Sequence, residues 1–218
     1  MEDELILQPP SFDADFKARL RQLFVWRRDV RRFRCEPLAE GLFERLIDAA
    51  CLAPSVGFSQ PWRFVVVDDA HRRAAIADNF SQCNAEALNA CGQDRAALYA
   101  RLKLAGLREA PRQLAIFADE TTSVGHDLGR RTMPEMIRYS VVAAICNLWL
   151  AARAEGVGLG WISILDPDRA RASLDVPESW RLIGYFCLGY PEIEAPDPEL
   201  EREGWEYRRP SETFIIQR

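Results

Sequence analysis

Residues 27–34 read RRDVRRFR and place five arginines around one aspartate and one phenylalanine. The chain as a whole is acidic, since 28 basic and 33 acidic residues give a formal net charge of −5. Arginine binds phosphate through two parallel hydrogen bonds, so several arginines on one short turn can hold a phosphomonoester. The alternative is a solvated helix end, where basic side chains suit the negative end of the helix dipole. Charged and apolar residues alternate in DVRRFR, so their side chains point in different directions just before a loop. This pattern favours the phosphate site over the helix end.

Asp29 lies in the middle of this basic cluster. Nearby positive charge favours the carboxylate form of an acid, so the sequence predicts an ionised Asp29. The carboxylate is either an ion-pair partner of the arginines or the acid/base group of a site.

A second unusual stretch is APSVGFSQPWRF, at residues 53–64. Its prolines, glycine and serines predict a tight loop with exposed backbone N–H groups and hydroxyls. The loop leads into WRFVVVDD, an apolar and β-branched run that predicts a buried strand. An ordinary connection between a helix and a strand explains the proline and the glycine, but not the whole string.

The glycine run GVGLG, at residues 156–160, superficially resembles a dinucleotide-binding loop. That fingerprint is G-x-G-x-x-G, and it follows a strand and opens a helix. Here the spacing is G-x-G-x-G, and the run leaves a predicted helix to enter a predicted strand. It therefore predicts a helix stop at which the backbone passes close to another segment.

The hydrophobic periodicity predicts the order helix, helix, strand, helix, helix, strand, long helix, strand, helix, strand. The third and fourth helices are predicted over 70–81 and 84–107. Residues 136–155 predict a helix buried in the core or in a subunit interface. Residues 213–218, TFIIQR, predict a short β-like stretch. This order predicts an α/β or α+β domain with a small sheet covered by helices.

Composition excludes several classes of protein. The acidic balance gives no support for nucleic-acid binding. No apolar run approaches the roughly 18 residues of a membrane span, and the acidic start does not fit a signal peptide, so we expect a cytoplasmic protein. Six cysteines without a C-x-x-C pair and two distant histidines predict no metal site. Neither histidine accompanies a serine motif of the hydrolases.

Four motifs, in order over residues 24–209, resemble the flavin-dependent nitroreductase superfamily. The superfamily pattern is R-R-S-x-R-x-F, then A-P-S-x-x-N-x-Q-P-W-x-F, a glycine loop before a strand, and G-Y-P. This chain has RRDVRRF, APSVGFSQPWRF, GVGLGWISIL and LGYP. Asp29 replaces the usual serine, and Phe58 replaces the usual asparagine. With WISILDP, these two departures resemble the BluB branch of the superfamily.

The resemblance implies a nitroreductase-like α+β fold, with a central, mainly antiparallel sheet flanked by helices, in an intertwined homodimer. Residues 1–218 would form one domain, with an N-terminal arm at 1–10 and a helical lid region at about 84–135. The C-terminal extension, 192–218, would reach the partner subunit. The residues implied to bind FMN are Arg27, Arg28, Asp29, Val30, Arg31, Ser55, Leu104, Trp161, Ile162, Ser163, and Arg208 or Arg209.

The BluB branch consumes its flavin, which implies that reduced FMN is a substrate and O2 a co-substrate. The implied products are 5,6-dimethylbenzimidazole, the lower ligand of cobalamin, and erythrose 4-phosphate. Asp29 and Ser163 are the implied catalytic residues, Asp29 as a proton shuttle and Ser163 as a hydrogen-bond partner of the flavin. A separate flavin reductase would supply reduced FMN, because the sequence contains no nicotinamide-binding fingerprint. Two alternatives remain, an FMN-dependent nitro- or ene-reductase that retains its flavin and a non-enzymatic flavin-binding module.

Overall fold

The computed structural model of the protein describes residues 9–90 and 106–218. Helices precede, separate and follow four strands along the described part of the chain. Their bounds are α1 Ala14–Trp26, α2 Leu42–Cys51, β1 Trp62–Val66, α3 Ala70–Ala90, α4 Gly106–Glu109, β2 Arg112–Asp119, α5 Met136–Ala154, β3 Gly158–Ile162, α6 Pro167–Leu174, β4 Trp180–Gly189 and α7 Glu199–Arg202. Short 3-10 turns lie at Val56–Phe58 and Ser211–Phe214.

The four strands form one antiparallel sheet in the order β1-β2-β4-β3. Apolar side chains cover both faces of this sheet. One buried cluster joins it to α2 and α5, through residues such as Leu46 and Leu148. The other joins it to α3 and α6, through residues such as Ile76 and Leu174. The predicted α+β architecture with an antiparallel sheet flanked by helices is therefore confirmed.

The long helix α5 is the central helix of the first cluster. Its buried side chains recur at helical spacing, at Ile137, Val141, Ala144, Ile145 and Leu148. This confirms the prediction of a buried helix over residues 136–155. No helix within residues 9–90 and 106–218 has the length and hydropathy that a membrane crossing requires.

Three predictions about segments need correction. Helix α3 runs without a break from residue 70 to 90, because Ser81–Asn84 contains neither glycine nor proline, and the remainder of the predicted 84–107 helix lies largely outside the described residues. The predicted lid region of about 84–135 contains β2, a central strand, so residues 112–119 do not belong to a lid. Residues 213–218 form no strand in the single chain.

Residues 27–34, hereafter the arginine turn, lie alongside β3. The N–H of Val30 donates to the carbonyl oxygen of Leu159 at 3.0 Å. A Cβ on Gly158 would lie 2.7 Å from Val30 Cγ2, and a Cβ on Gly160 would collide with the Val30 carbonyl oxygen. The glycines of GVGLG therefore let the arginine turn lie against β3, which confirms the predicted close backbone approach.

The chain after β4 covers the other side of the arginine turn. The N–H of Arg34 donates to the Tyr190 carbonyl at 2.8 Å, and the N–H of Glu192 donates to the Arg32 carbonyl at 3.2 Å. The arginine turn is consequently held between β3 and the C-terminal extension, which begins at residue 192.

Candidate active site at the arginine turn

The arginine turn begins where α1 ends. Arg27 caps the helix with its N–H bonded to the Leu23 carbonyl, and its own backbone is extended, at φ −69° and ψ 121°. An extended backbone sends successive side chains to opposite sides. The geometry thus differs from a solvated helix end, because the arginines beyond Trp26 lie outside the helix.

A crevice of about 20 Å3, lined by Val30 and Trp149 among others, lies beside the arginine turn. Two cavities with volumes of about 320 and 170 Å3 flank the turn as well. Four residues line both of them: Arg28, Asp29, Arg31 and Glu199. The larger cavity is closed by acidic and basic side chains of the C-terminal extension, including Asp197 and Arg202. The smaller cavity adds Arg27 and Arg208, so that four arginines surround it.

Arg28 has the features of an anion-binding group. Its Nη1 donates to the Arg27 carbonyl at 2.6 Å and its Nη2 to the Pro196 carbonyl, while its Nε is buried without a partner in the described part of the chain. Burial, followed by the charges of Arg27 and Arg208, lowers the pKa of Arg28. This uncompensated positive charge suits a phosphate group, which offers several acceptor oxygens to arginine.

Asp29 is held by one hydrogen bond and leaves one oxygen for a ligand. The N–H of Trp161 donates to its Oδ1 at 2.8 Å. No residue in the described ranges bonds to Oδ2. The side chain is accessible to solvent in the single chain, although the cavity walls surround it.

The arginines alone would lower the pKa of Asp29, but the structure shifts this pKa upward. Desolvation by the surrounding protein raises the pKa of Asp29, and the charge of Glu199 raises it further. The hydrogen bond from Trp161 and the charges of Arg31 and Arg27 act in the opposite direction and do not outweigh desolvation. The charges of the arginines are visible in the sequence, whereas the loss of water around the carboxyl group depends on the folded structure.

The strand β3 and its continuation supply the residues beside Asp29. Trp161 is half-buried and packs on Phe186, with 5.0 Å between the ring centroids. Ile162 points its side chain into the core, so only its backbone is left for a ligand. Ser163 follows directly and is exposed, and its hydroxyl has no partner within residues 9–90 and 106–218. Alternation along the strand puts Ser163 on the same face as Trp161.

The structure gives different results for four other predicted site residues. Ser55 lines neither cavity, and its Oγ accepts a hydrogen bond from the Gln60 N–H at 3.0 Å. Arg208 lines the smaller cavity, whereas Arg209 is exposed and lines neither. Leu104 lies outside the described residues.

Two residues at the site were not found from the sequence. Glu199 lines both cavities and forms an ion pair with Arg32 at 3.6 Å. Trp149, on α5, donates its indole N–H to the Arg28 carbonyl at 3.0 Å. Both are more than one hundred residues from the arginine turn in sequence, and neither belongs to a local motif, so no sequence signal pointed to them.

Comparison with known proteins identifies the family of this fold and site. The sequence profile of the Nitroreductase family matches residues 24–190. The chain belongs to the nitroreductase family. A relative from Rhodospirillum rubrum named 5,6-dimethylbenzimidazole synthase is 58% identical over 201 residues, which cover 92% of this chain and 95% of the relative. A relative of the same name from Rhodobacter capsulatus is 41% identical over 93% of this chain and 98% of its own length.

These relatives confirm the predicted resemblance to the BluB branch. A more distant relative, named NADH dehydrogenase and found in Thermus thermophilus, is 33% identical over 78% of this chain and 85% of the relative.

Solved structures support the same fold. An iodotyrosine deiodinase bound to FMN and 3-iodo-L-tyrosine has a TM-score of 0.71 at 24% identity, over 91% of this chain and 97% of the other. A BluB-like flavoprotein from Clostridium difficile has a TM-score of 0.67 at 23% identity, over 91% and 98%. The nitroreductase-like fold predicted from the motifs is thus confirmed.

Proposed function

We propose that this protein binds reduced FMN at the arginine turn and, with O2, fragments it to 5,6-dimethylbenzimidazole and erythrose 4-phosphate. The observation that carries this proposal is the carboxyl group of Asp29, with a raised pKa, inside an arginine cluster suited to phosphate. A flavin enzyme that only exchanges hydride has no need of a carboxyl group at this position. The two relatives named 5,6-dimethylbenzimidazole synthase support the same reaction.

The arginines would hold the phosphate of FMN. Arg27, Arg28, Arg31 and Arg208 surround the smaller cavity, and the unpaired buried Nε of Arg28 favours an anionic ligand there. A phosphate at this place would also relieve the repulsion between the guanidinium groups. Reduced FMN supplies the electrons for O2 and the ring atoms of the product.

Asp29 would move protons during the cleavage of the flavin. Its Oδ1 is fixed by the Trp161 N–H, so Oδ2 is the oxygen that can reach a ligand. A raised pKa brings proton exchange on the carboxyl group closer to neutral pH, where general acid and base catalysis is most effective. Ser163, on the same face of the strand as Trp161, would donate a hydrogen bond to the flavin edge.

The enzyme would act as a homodimer in which the partner subunit completes each site. Ser55 lies outside both cavities of its own chain, and its neighbours Leu52 and Phe58 are 83% and 74% exposed. Exposed apolar side chains on both sides of Ser55 suit contact with a partner subunit. A separate flavin reductase, in the cytoplasm, would supply the reduced FMN.

The decisive experiment supplies reduced FMN and O2 to the purified protein and identifies the products by mass spectrometry. We expect 5,6-dimethylbenzimidazole from the wild-type protein. Detection of FMN and hydrogen peroxide alone would mean that the synthase proposal is wrong.

Replacement of Asp29 tests the proposed role of its carboxyl group. We expect Asp29→Asn to bind FMN but to form 5,6-dimethylbenzimidazole at least about 100-fold more slowly, the usual loss when an acid/base group is removed. Asp78→Asn is the matched control, because Asp78 is exposed on α3 and lines neither cavity. Unchanged product formation by Asp29→Asn would contradict the role of Asp29. A non-enzymatic flavin-binding module predicts instead that neither protein forms product and that the substitution leaves FMN binding unchanged.

The relative named NADH dehydrogenase favours a second candidate, an FMN-dependent nitro- or ene-reductase that retains its flavin. This candidate predicts a tightly bound yellow cofactor after purification and rapid oxidation of NAD(P)H. The synthase proposal predicts slow NAD(P)H oxidation unless a flavin reductase is added.

A further inference from the structure

We infer that Trp149 is a positioning residue that presents the arginine turn to the phosphate group of the flavin. The inference rests on the proposed FMN site. It concerns a side chain that lines neither of the two cavities proposed to hold the flavin, only the crevice of about 20 Å3 beside them. Trp149 acts through the residues that line those two cavities.

Trp149 contacts the arginine turn in two different ways. Its indole N–H donates to the Arg28 carbonyl at 3.0 Å. The guanidinium carbon of Arg27 lies over its ring, 4.7 Å from the centroid. One side chain therefore holds the backbone of Arg28 and the charged group of Arg27.

A third contact connects Trp149 to the neighbour of Asp29. The ring centroids of Trp149 and Trp161 lie 6.1 Å apart. The backbone N–H of Trp161 is the group that donates to Asp29 Oδ1. The ring of Trp161 packs against the backbone of Gly184, in the space that a side chain at this position would occupy. Trp149 and Trp161 thus form a continuous aromatic support beneath residues 27–29.

The support is rigid because α5 is part of the core. Leu148 precedes Trp149 in sequence, and Ala152 follows it by about one helical turn. Both residues are fully buried. The arginine turn, in contrast, carries like charges that repel one another and lies outside regular secondary structure. A fixed aromatic face and a fixed donor reduce the freedom of this segment before the ligand binds, and such preorganisation increases affinity.

The experiment compares binding of FMN with binding of riboflavin, which lacks the phosphate. Trp149→Phe keeps an aromatic face for Arg27 but removes the N–H donor to Arg28. We expect it to weaken FMN binding roughly fivefold, the effect of one hydrogen bond. Trp149→Leu also removes the face, and we expect a loss of about 20-fold when the cation–π contact is added. Riboflavin binding should change by less than about twofold in Trp149→Phe, which keeps a ring beside Trp161 and loses only the donor to Arg28. In Trp149→Leu, riboflavin binding should change less than FMN binding.

Trp180→Phe is the matched control. Arg63 lies over the Trp180 ring at 5.7 Å from the centroid, so the pair has the same chemistry. Trp180 is the first residue of β4, and Gly189 is the last. Strand β3 and the arginine turn lie beside the Gly189 end of β4, away from Trp180. We expect the control to bind FMN and riboflavin like the wild type.

Three results would overturn the inference. The first is an equal loss of FMN and riboflavin affinity in the Trp149 variants, which indicates support of the core only. The second is unchanged FMN affinity in both variants, with a wild type that prefers FMN to riboflavin. This result would reject the role of Trp149 but would not contradict the proposed FMN site. The third is a wild type without any preference for FMN, which also removes the proposed phosphate site. The conservative Trp149→Phe variant, checked by its melting temperature, keeps the test valid if Trp149→Leu does not fold.

Discussion

Asp29 and Glu199 line the same two cavities but differ in the charged groups around them. Asp29 has arginines on both sides in sequence, and Glu199 has an ion pair with Arg32 and a side chain that is 19% exposed. The negative charge of Glu199 raises the pKa of Asp29, whereas Arg31 lowers it. The proton affinity of the proposed catalytic group is therefore set partly by a residue from the opposite end of the chain.

This arrangement predicts the direction of a pH effect. If the carboxylate form of Asp29 is required, the fragmentation rate rises with pH through the pKa of Asp29, which lies above the ordinary value of 3.8. Glu199→Gln removes a charge that raises this pKa, so the acidic limb of the rate–pH profile should move to lower pH. Single-turnover rates across the acidic range measure the shift.

Glu201→Gln is the control for this experiment, because Glu201 lies in the same short helix and lines neither cavity. Its profile should coincide with that of the wild type. An acidic limb that stays in place, or moves to higher pH, in Glu199→Gln would show that Glu199 does not tune Asp29.

The residues of the site divide into those that a motif reveals and those that it does not. The arginine turn is a short string of unusual composition, so the sequence points to it directly, whereas Ser163 is predicted only through the family resemblance. Trp149 contacts the arginine turn across 121 positions in sequence, and its helix has many other apolar residues. The direction of the Asp29 pKa also required the structure, because desolvation depends on the depth of the cavity walls.

At the scale of elements, α3 and α6 are joined through one buried amide. Asn79, 1% exposed, donates from Nδ2 to the Asp166 carbonyl and accepts at Oδ1 from the Asp166 N–H, both at 2.9 Å. Asp166 in turn caps α6 through the N–H groups of Asp168 and Arg169. The segment from Ser163 onward therefore runs from the end of β3 at Ile162 to a cap that Asn79 holds.

Replacement of Asn79 should therefore lower stability. Asn79→Leu leaves the N–H of Asp166 without a partner, while its carbonyl keeps the bond from the Ala170 N–H. The free energy of unfolding should therefore fall by about 2 kcal/mol. Urea denaturation at a fixed protein concentration measures the change. Asn89→Leu, at an exposed position of the same helix, should change the free energy of unfolding by less than about 0.5 kcal/mol. Equal effects of the two substitutions would contradict the role of the amide.

The order of the elements could be predicted because most of them have a clear hydrophobic period. Helix α5 and strand β2 are examples, since their apolar residues are long, continuous or regularly spaced. The continuity of α3 could not be predicted, because the polar residues Ser81–Asn84 suggest a break although their backbone remains helical. The glycines at 158 and 160 pointed to a close backbone approach, but only the structure identified Val30 as the neighbour.

At the scale of the whole molecule, the described part of the single chain leaves helix α1 and the C-terminal extension uncovered, in addition to the apolar residues beside Ser55. Helix α1 has no buried residue, and its Phe16 and Phe24 are 44% and 52% exposed. In the C-terminal extension, Phe214, Ile215 and Ile216 are each about 70% exposed. Contiguous apolar surface of this kind marks a protein interface in a stable protein. The proposed homodimer accounts for both segments.

The proposed dimer makes the last residues of the chain important for assembly and for the site. The double substitution Ile215→Asp and Ile216→Asp would put two charges into an apolar contact, which is costly without a partner charge. We expect the mass measured by light scattering after gel filtration to fall from twice 24.8 kDa toward 24.8 kDa. FMN affinity should fall in parallel, because Ser55 would no longer reach the site of the partner. Gln217→Asp adds a charge in the same segment without removing apolar surface, and we expect it to remain dimeric. A double variant that stays dimeric with unchanged FMN affinity would mean that the extension has no part in assembly.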